Sequence, residues 1–256
     1  MEIVIYNESI NELINDSSKI TEIREHIEAD NLVVIKEAVN KKLISDIKEY
    51  LSQIGKNSLP NYLPIIKNAP NFHRINNSDH RSYVKGCFHQ FVFYPWNQDI
   101  FNFFKVFRKI FQLKNLIGKL PKDAFLGMKP EKGCTARIAF QFYPANQGYL
   151  NPHRDPVHYH QLALPTVVMS KKGVDYEEGG AYFISNDQKI HVDDFVDIGD
   201  ITFFNPQHIH GVDSIKCSSE SSWLDFQGRW MLLLAINKLS DNQDIQNAVD
   251  LTEEKK

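Results

Sequence analysis

The pattern of hydrophobic positions changes near residue 135, from helical intervals of three and four to alternation. Before residue 135, two apolar stripes predict helices that pack against a sheet. The first stripe comprises Leu43, Ile44, Ile47, Tyr50, Leu51 and Ile54. The second comprises Phe103, Phe104, Phe107, Ile110 and Phe111. Asn40 and Gly55 are expected to cap and end the first helix, and Gly118 to end the second.

From Thr135 onward, the pattern predicts short strands separated by glycine and proline turns. Polar positions at Arg137, Gln141 and Tyr143 alternate with an apolar face, because successive strand residues point to opposite sides. Further strands are expected at residues 31–35, 162–169 with a break at Pro165, 181–185 and 230–237, and before His210. Residues 1–30 are expected to form one or two helices, and residues 240–256 a helix or a frayed tail. The predicted fold is mainly β with flanking helices around a double-stranded β-helix (jelly-roll) core.

Residues 56–98 contain four prolines and many aromatic residues, which predicts a long irregular segment. Such segments often shape binding sites, and the alternative is a well-packed surface cover. His73 and Arg74 are candidates to contact an anionic substrate. We expect one domain over residues 1–256: helical support and substrate-shaping loops in 1–134, the jelly roll with the candidate catalytic residues in 135–237, and a polar tail in 238–256.

Composition excludes few classes of function. The 256 residues are 42% hydrophobic and 24% charged, and the net charge of −3 gives no reason to expect a nucleic-acid partner. Cys87, Cys134 and Cys217 form neither a zinc spacing nor a disulfide framework, so a cytoplasmic location is expected. The chain begins without a secretory signal, and no apolar run approaches the ~20 residues that span a bilayer. Nothing in the pattern indicates an oligomeric state.

Candidate metal ligands occur at two places. His153 and Asp155 are two residues apart, so both side chains can reach one ion from a strand end. His210 follows an apolar run about fifty residues later, and His208 on the same strand face is a competing choice. Two imidazoles and one carboxylate leave open positions on a metal, which suits non-haem Fe(II). The alternative is a set of ordinary surface or core histidines without a metal.

These motifs resemble those of the Fe(II)/2-oxoglutarate-dependent oxygenase superfamily over residues 135–237. The residues that carry the resemblance are His153-x-Asp155, Glu178-Gly179-Gly180-Ala181-Tyr182-Phe183, Gly199-Asp200, His210-Gly211-Val212 and Gly228-Arg229-Trp230. The resemblance implies that His153, Asp155 and His210 bind Fe(II). It also implies that Arg229 binds the far carboxylate of 2-oxoglutarate, for which its fork of donors fits bidentately, with Lys216 as second choice. The alternative for Arg229 is a structural ion pair, because an arginine in an otherwise apolar strand is costly unless it is paired.

The strand that contains Gln141 and Tyr143 resembles the Asn-x-Tyr strand of AlkB-type members, which implies hydrogen bonds to 2-oxoglutarate. The second arginine of AlkB-type enzymes is missing, so repair of DNA or RNA is disfavoured. Arg137, Arg154 and His158 join His73 and Arg74 as candidates for substrate contact.

The implied reaction uses Fe(II), 2-oxoglutarate and O₂ to hydroxylate an unactivated C–H bond, with release of succinate and CO₂. The expected substrate is a small molecule such as an amino acid, a sugar or a secondary metabolite. Related halogenases replace the carboxylate ligand, so Asp155 favours hydroxylation or desaturation over halogenation. The alternatives are a hydroxylase of a protein or glycan, and a cupin-like metal-binding protein without oxygenase activity.

Overall fold

The computed structural model describes residues 1–158 and 160–252. Five helices lie mainly in the first half of this described chain. They are α1 (Ile10–Asn15), α2 (Ser17–Glu28), α3 (Lys41–Asn57), α4 (Phe103–Val106) and α5 (Arg108–Ile117). Thirteen strands complete the described part. They are β1 (Ile3–Tyr6), β2 (Leu32–Ile35), β3 (Phe72–Asn77), β4 (Gly86–Phe93), β5 (Cys134–Pro144), β6 (Tyr149–Arg154), β7 (Leu164–Val168), β8 (Glu178–Ser185), β9 (Gln188–His191), β10 (Ile201–Phe204), β11 (His210–Lys216), β12 (Gly228–Lys238) and β13 (Val249–Asp250).

The strands form one continuous sheet in the order β1-β2-β10-β7-β12-β5-β4-β6-β11-β8-β9, with β3 beside β4 and β13 beside β6. β1 and β2 are parallel, and the other pairs are antiparallel. β12 and β5 pair along their full lengths, from Gly228 opposite Pro144 to Lys238 opposite Cys134. The sheet folds over so that β6, β11 and β8 face β10, β7, β12 and β5 across a cavity. The predicted mainly β architecture with flanking helices is therefore confirmed.

Strand β5 separates the core from the cavity. Ile138, Phe140 and Phe142 are buried in the main core, together with residues of the helices and of β12. Full burial of such a side chain contributes roughly 1.5–3 kcal/mol, so this face fixes the strand's orientation. Because side chains alternate along a strand, Arg137, Gln141 and Tyr143 point the other way and line the cavity.

Helix α3 begins as predicted and ends later. The Asn40 side chain accepts hydrogen bonds from the backbone amides of Lys42 and Leu43, as an N-cap does. The helix continues past Gly55 to Asn57, so the predicted end is wrong. Gly55 is buried, and a Cβ there would lie 2.2 Å from the Phe226 ring, so this glycine allows close packing.

The second apolar stripe is divided between α4 and α5, and Gly118 is the C-cap of α5, as predicted. Strand β7 contains Pro165 without a break, against expectation. β7 is in register with β12 only from Thr166 to Val168, so the missing amide of Pro165 lies outside that pairing. No helix in the described chain is long and apolar enough to span a membrane.

Two other regions differ from the sequence expectation. The segment 56–98 contains β3 and β4, and β4 lies inside the sheet between β5 and β6. All eight residues of β4 are buried, so the strand shows no alternation of polar and apolar residues. The chain after residue 240 is neither a helix nor a frayed tail up to Thr252, because β13 pairs with β6. Residues 253–256 of the predicted tail lie outside the described residues.

Candidate metal centre

His153, Asp155 and His210 converge at one end of the cavity. His153 is the last but one residue of β6, Asp155 follows that strand, and His210 begins β11 directly opposite His153. One potential ligand atom from each residue lies within 4.8 Å of the others. The Asp155 Oδ2 atom is 3.8 Å from His153 Nε2 and 3.5 Å from His210 Nε2. This donor set of two imidazoles and one carboxylate fits a divalent metal such as Fe(II).

A hydrogen bond to the backbone carbonyl two residues earlier orients each of the two imidazoles. His153 Nδ1 lies 2.8 Å from the carbonyl oxygen of Asn151, and His210 Nδ1 lies 2.8 Å from that of His208. Since a carbonyl oxygen can only accept a hydrogen bond, each Nδ1 carries the N–H of its ring, and in the neutral ring each Nε2 keeps a free lone pair. Backbone hydrogen bonds of this kind are typical of metal-binding histidines.

His208 is excluded from this cluster by its own hydrogen bond. Its Nε2 atom lies 2.9 Å from the carbonyl oxygen of Ile184, so the ring is held against β8. Of the two histidines that compete in the sequence, the structure brings His210 to His153 and Asp155.

The protonation states of the cluster suit metal binding. Burial lowers the pKa of His153 to about 4, so this ring is neutral near pH 7. Burial alone would raise the pKa of Asp155, but its neighbours His210, His153 and Arg137 lower it below its ordinary value. A neutral imidazole beside an ionised carboxylate is the form in which both residues bind a cation.

Arg229 lies in the same cavity, but its guanidinium already has a carboxylate partner. Nε and Nη2 donate to the two carboxylate oxygens of Asp193, at 2.6 and 3.0 Å. Both side chains are almost completely buried, and they are 6% and 4% exposed. The predicted two-pronged contact of Arg229 is therefore made to Asp193. Nη1 is buried without a hydrogen-bond partner in the described chain, so one donor nitrogen remains.

The pair shifts the pKa of both residues in the direction of their charged forms. Burial alone would lower the pKa of Arg229, but the charge of Asp193 raises it above its ordinary value. Burial alone would raise the pKa of Asp193, and the charge of Arg229 lowers it. Both residues are therefore ionised at neutral pH.

The Asp193 carboxylate is also held by two other donors. The hydroxyl of Tyr176 donates to Oδ2 at 2.6 Å, and the backbone amide of Ala181 donates to it at 2.9 Å. Gly180 has a φ of +106°, and a Cβ at this position would lie 2.2 Å from Oδ2. Glycine is therefore required here for the close approach of the carboxylate. Asp193 and Tyr176 were not predicted, because no sequence motif marks an aspartate 36 residues before Arg229 as its partner.

Gln141 and Tyr143 lie on the cavity face of β5, next to the strand that contains Arg229. Tyr143 is directly opposite Arg229 in the β5–β12 pairing, and the guanidinium carbon is 5.8 Å from the tyrosine ring centre. The Tyr143 hydroxyl donates to Gln141 Oε1 at 2.7 Å. Burial raises the pKa of Tyr143, so the hydroxyl stays protonated and available as a hydrogen-bonding group.

The cavity has a volume of about 560 Å³, and its lining includes the three candidate metal ligands, the Arg229–Asp193 pair, Gln141 and Tyr143. Residues 245–248 also line it, so the chain after β12 forms part of the cavity wall. Arg74 and Arg137 also line it. A second cavity of about 690 Å³ is lined by His73, but none of the three clustered metal ligands lines it.

Four other sequence candidates are not brought to the metal cluster. The His73 ring lies 2.9 Å from Ser58 Oγ and stacks on Phe91 outside this cavity. Arg154 is exposed and donates to the Gln207 carbonyl. His158 accepts from the backbone amide of Gln246 and does not line the cavity. Lys216 pairs with Glu178 at the exposed end of β11.

No protein-family model matches the chain. No curated protein matches it in sequence.

Solved structures resemble the chain over most of its length. A full-length protein of Neurospora crassa, in complex with α-ketoglutarate and thymine, has a TM-score of 0.56 and 8% identity over 93% of this chain and 86% of that chain. A prolyl-4-hydroxylase of Pseudomonas putida has a TM-score of 0.54 and 11% identity, over 86% and 98% of the two chains. A prolyl hydroxylase of Trichoplax adhaerens, in complex with a hypoxia inducible factor peptide, has a TM-score of 0.53 and 12% identity, over 90% and 94%. At these identities the likeness concerns the fold, and the chain has the double-stranded β-helix fold of the 2-oxoglutarate-dependent oxygenases, as its motifs predict.

Proposed function

We propose that this protein is an Fe(II)- and 2-oxoglutarate-dependent dioxygenase that hydroxylates a C–H bond of a small molecule and releases succinate and CO₂. The observation that carries the proposal is the pair of imidazole Nε2 atoms directed, with Asp155, at one point of a cavity. Two histidines and one carboxylate occupy one face of a metal and leave the opposite face for a cosubstrate and O₂.

His153, Asp155 and His210 hold Fe(II) in this proposal. The metal and 2-oxoglutarate supply the activation of O₂, and the chain supplies binding, orientation and exclusion of water. Because backbone carbonyls fix both imidazole rings, the ligand positions are set before a metal binds.

Arg229 anchors the far carboxylate of 2-oxoglutarate through Nη1, its one nitrogen without a partner in the described chain. Asp193 holds the other two nitrogens, so the guanidinium plane is fixed before the cosubstrate arrives. Tyr143, opposite Arg229 in the sheet, and Gln141 offer a hydroxyl and an amide on the wall of the same cavity. A cupin-like protein without oxygenase activity has no use for a buried arginine with a donor kept free in this way.

A small-molecule substrate is supported by the shape of the site. A volume of about 560 Å³ falls within the roughly 300–1,000 Å³ of ordinary ligand pockets. Residues 245–248, after the last long strand, form part of the wall of this cavity. Hydroxylation of a protein segment is the competing outcome, and the substrate screen below distinguishes it.

The test is calorimetric titration of Fe(II), then of 2-oxoglutarate without oxygen, followed by a screen for succinate and for substrates that gain one oxygen atom. We expect His153→Ala, Asp155→Ala and His210→Ala to lose Fe(II) binding and turnover, because each removes one of three ligands. His208→Ala is the matched control, because His208 bonds only the Ile184 carbonyl and should leave Fe(II) binding intact. Fe(II) binding that survives in His210→Ala and disappears in His208→Ala would contradict the assignment.

A further inference from the structure

Besides Arg229, three arginines line the cavity: Arg74, Arg81 and Arg137. Arg81 is paired with Asp79, and in the described chain the other two are not paired in this way. Arg74 lies on β3 and Arg137 on β5, and both side chains line the cavity. The Nε atom of each is buried without a hydrogen-bond partner in the described chain. An unpaired polar atom of a charged group is costly inside a protein, so two such atoms in one cavity require an explanation.

The sheet register sets both arginines apart from Arg229: Arg137 along the strand direction, and Arg74 across the sheet, on β3, three strands from β12. Arg74 is opposite Gln90, which is opposite Gln141, so the three side chains lie on one face of neighbouring strands. Arg137 is on the same face of β5, six residues before Tyr143, which is opposite Arg229. Six residues of a strand span about 20 Å.

No carboxylate of the described residues neutralises Arg74 or Arg137. Asp155 and Asp193 are the only acidic residues that line the cavity in the described chain. Asp193 is bonded to Arg229, and Asp155 belongs to the metal cluster.

Asp79, the acidic residue whose charge acts on Arg74, is already held by another arginine. Nε and Nη2 of Arg81 both donate to it, at 2.9 and 2.7 Å. The Arg74 guanidinium instead stacks over the Tyr62 ring, 4.7 Å from its centre. This ring contact stabilises the cation without neutralising it.

The two guanidinium groups act on each other and on a shared phenol. Burial lowers the pKa of Arg137 to about 10, and the charge of Arg74 also acts to lower it. The hydroxyl of Tyr94 is buried without a partner in the described chain, and both arginines act on its pKa. Of these three groups, the two arginines line the cavity, and guanidinium groups are strong hydrogen-bond donors to an anion.

We propose that Arg74 and Arg137 bind a carboxylate of the substrate, so that the substrate is a small organic acid oxidised at a carbon near that group. The inference rests on the proposed function for the oxidation step, but the anion site itself does not. Arg137 and the metal-cluster residue Asp155 line the same cavity, so the bound carboxylate shares that cavity with the metal cluster.

One substrate carboxylate balances the charges of the site when Fe(II) and 2-oxoglutarate are bound. Fe(II), Asp155 and a 2-oxoglutarate dianion together carry one negative charge. Arg74 and Arg137 add two positive charges, and one substrate carboxylate makes these groups neutral together. A planar guanidinium also matches a carboxylate with two parallel hydrogen bonds.

The test uses the Fe(II)-loaded protein with saturating 2-oxoglutarate and no oxygen. The probes are hexanoate, phenylacetate and N-acetylglycine, with the primary amide of each and with phenyl phosphate. Binding is read by calorimetry and by the rise in melting temperature. We expect at least one acid to bind at least tenfold more tightly than its own amide and than phenyl phosphate. Equal binding of acid and amide, tighter binding of the phosphate, or no bound acid would each overturn the proposal.

Arg74→Gln and Arg137→Gln should each weaken the binding of that acid at least tenfold and leave 2-oxoglutarate affinity unchanged. Arg154→Gln is the matched control, because Arg154 is exposed outside the cavity and donates only to the Gln207 carbonyl. A loss of 2-oxoglutarate affinity in Arg137→Gln would instead assign this arginine to the cosubstrate. If 2-oxoglutarate fails to bind the wild type while acid binding still depends on Arg137, the anion site stands and the oxygenase proposal fails.

Discussion

Arg229 and the pair of Arg74 and Arg137 occupy two regions of the cavity, and among these three arginines only Arg229 has a carboxylate partner in the described chain. The region around Arg229 is called the paired end, and the region around Arg74 and Arg137 the unpaired end. At one end, Arg229 is locked to Asp193 by two hydrogen bonds, with Tyr176 and the Ala181 amide on the same carboxylate. At the other end, Arg74 and Arg137 share no carboxylate within the described chain. A buried charge is tolerated when it is paired and is costly when it is not.

Arg229 is therefore charge-compensated without a ligand, whereas Arg74 and Arg137 need a ligand for the same compensation. Arg229 is neutralised by the fold itself, so keeping it buried costs little and one nitrogen is left to bind. Arg74 and Arg137 gain their full stabilisation only when an anion enters. The geometry of the paired end is therefore fixed before a ligand binds. The unpaired end is the region whose stability increases most when its ligand binds.

The largest effect should follow from removing the carboxylate at the paired end. Asp193→Ala leaves Arg229 buried without a partner, so we expect a loss of about 3–5 kcal/mol in the free energy of unfolding. Urea unfolding followed by circular dichroism measures it. The control is Asp194→Ala, one residue along, which breaks a surface pair with Lys172 and should cost about 0–1 kcal/mol. Equal losses in the two variants would show that the Arg229 pair adds no special stability.

The metal cluster could be predicted from the sequence, but the Arg229–Asp193 pair could not. His153 and Asp155 are two residues apart on a strand, and the side-chain period alone brings them to one side. Asp193 lies in a 3-10 turn between β9 and β10, and its partner is 36 residues away. Only the folded sheet brings such residues together.

The missed strands have a related cause. β4 is buried on both faces, so its sequence carries no alternation that would separate it from an aromatic loop. The prediction for Arg137, Gln141 and Tyr143 was possible because β5 has a core on one face and a polar cavity on the other.

A smaller effect of opposite sign is expected at the unpaired end. Arg137→Met removes an uncompensated buried charge and keeps most of the side-chain stem, so the metal-loaded protein should become more stable by about 1–3 kcal/mol. The same unfolding assay measures it, without any added organic acid. Arg154→Met, on the exterior, should change stability by less than about 0.5 kcal/mol. A loss of stability in Arg137→Met would mean that the described fold already satisfies this charge.

The paired arginine should respond differently to a conservative change. Arg229→Lys keeps a positive charge for Asp193 but loses the planar fork and the free Nη1. We expect 2-oxoglutarate affinity to fall about tenfold, which corresponds to about 1.4 kcal/mol, with Fe(II) affinity unchanged. Calorimetric titration of 2-oxoglutarate and of Fe(II) measures the two affinities separately. Unchanged 2-oxoglutarate affinity with a lower melting temperature would make Arg229 a purely structural residue.

The smallest effect concerns acid pH, and it again separates the two ends. The folded-state pKa of Asp193 lies below its ordinary value, because Arg229 favours the ionised carboxylate. The stabilisation is therefore complete above the unfolded-state pKa of about 3.9 and disappears as the pH falls through the lower folded-state value. Asp193→Asn lacks this titration, so the stability gap between wild type and variant should be widest near neutral pH and should shrink below about pH 4. Urea unfolding of both metal-free proteins across this range measures the gap. A gap that stays constant would mean that Asp193 is not ionised in the folded protein, and the contrast between a paired and an unpaired arginine would then lose its electrostatic basis.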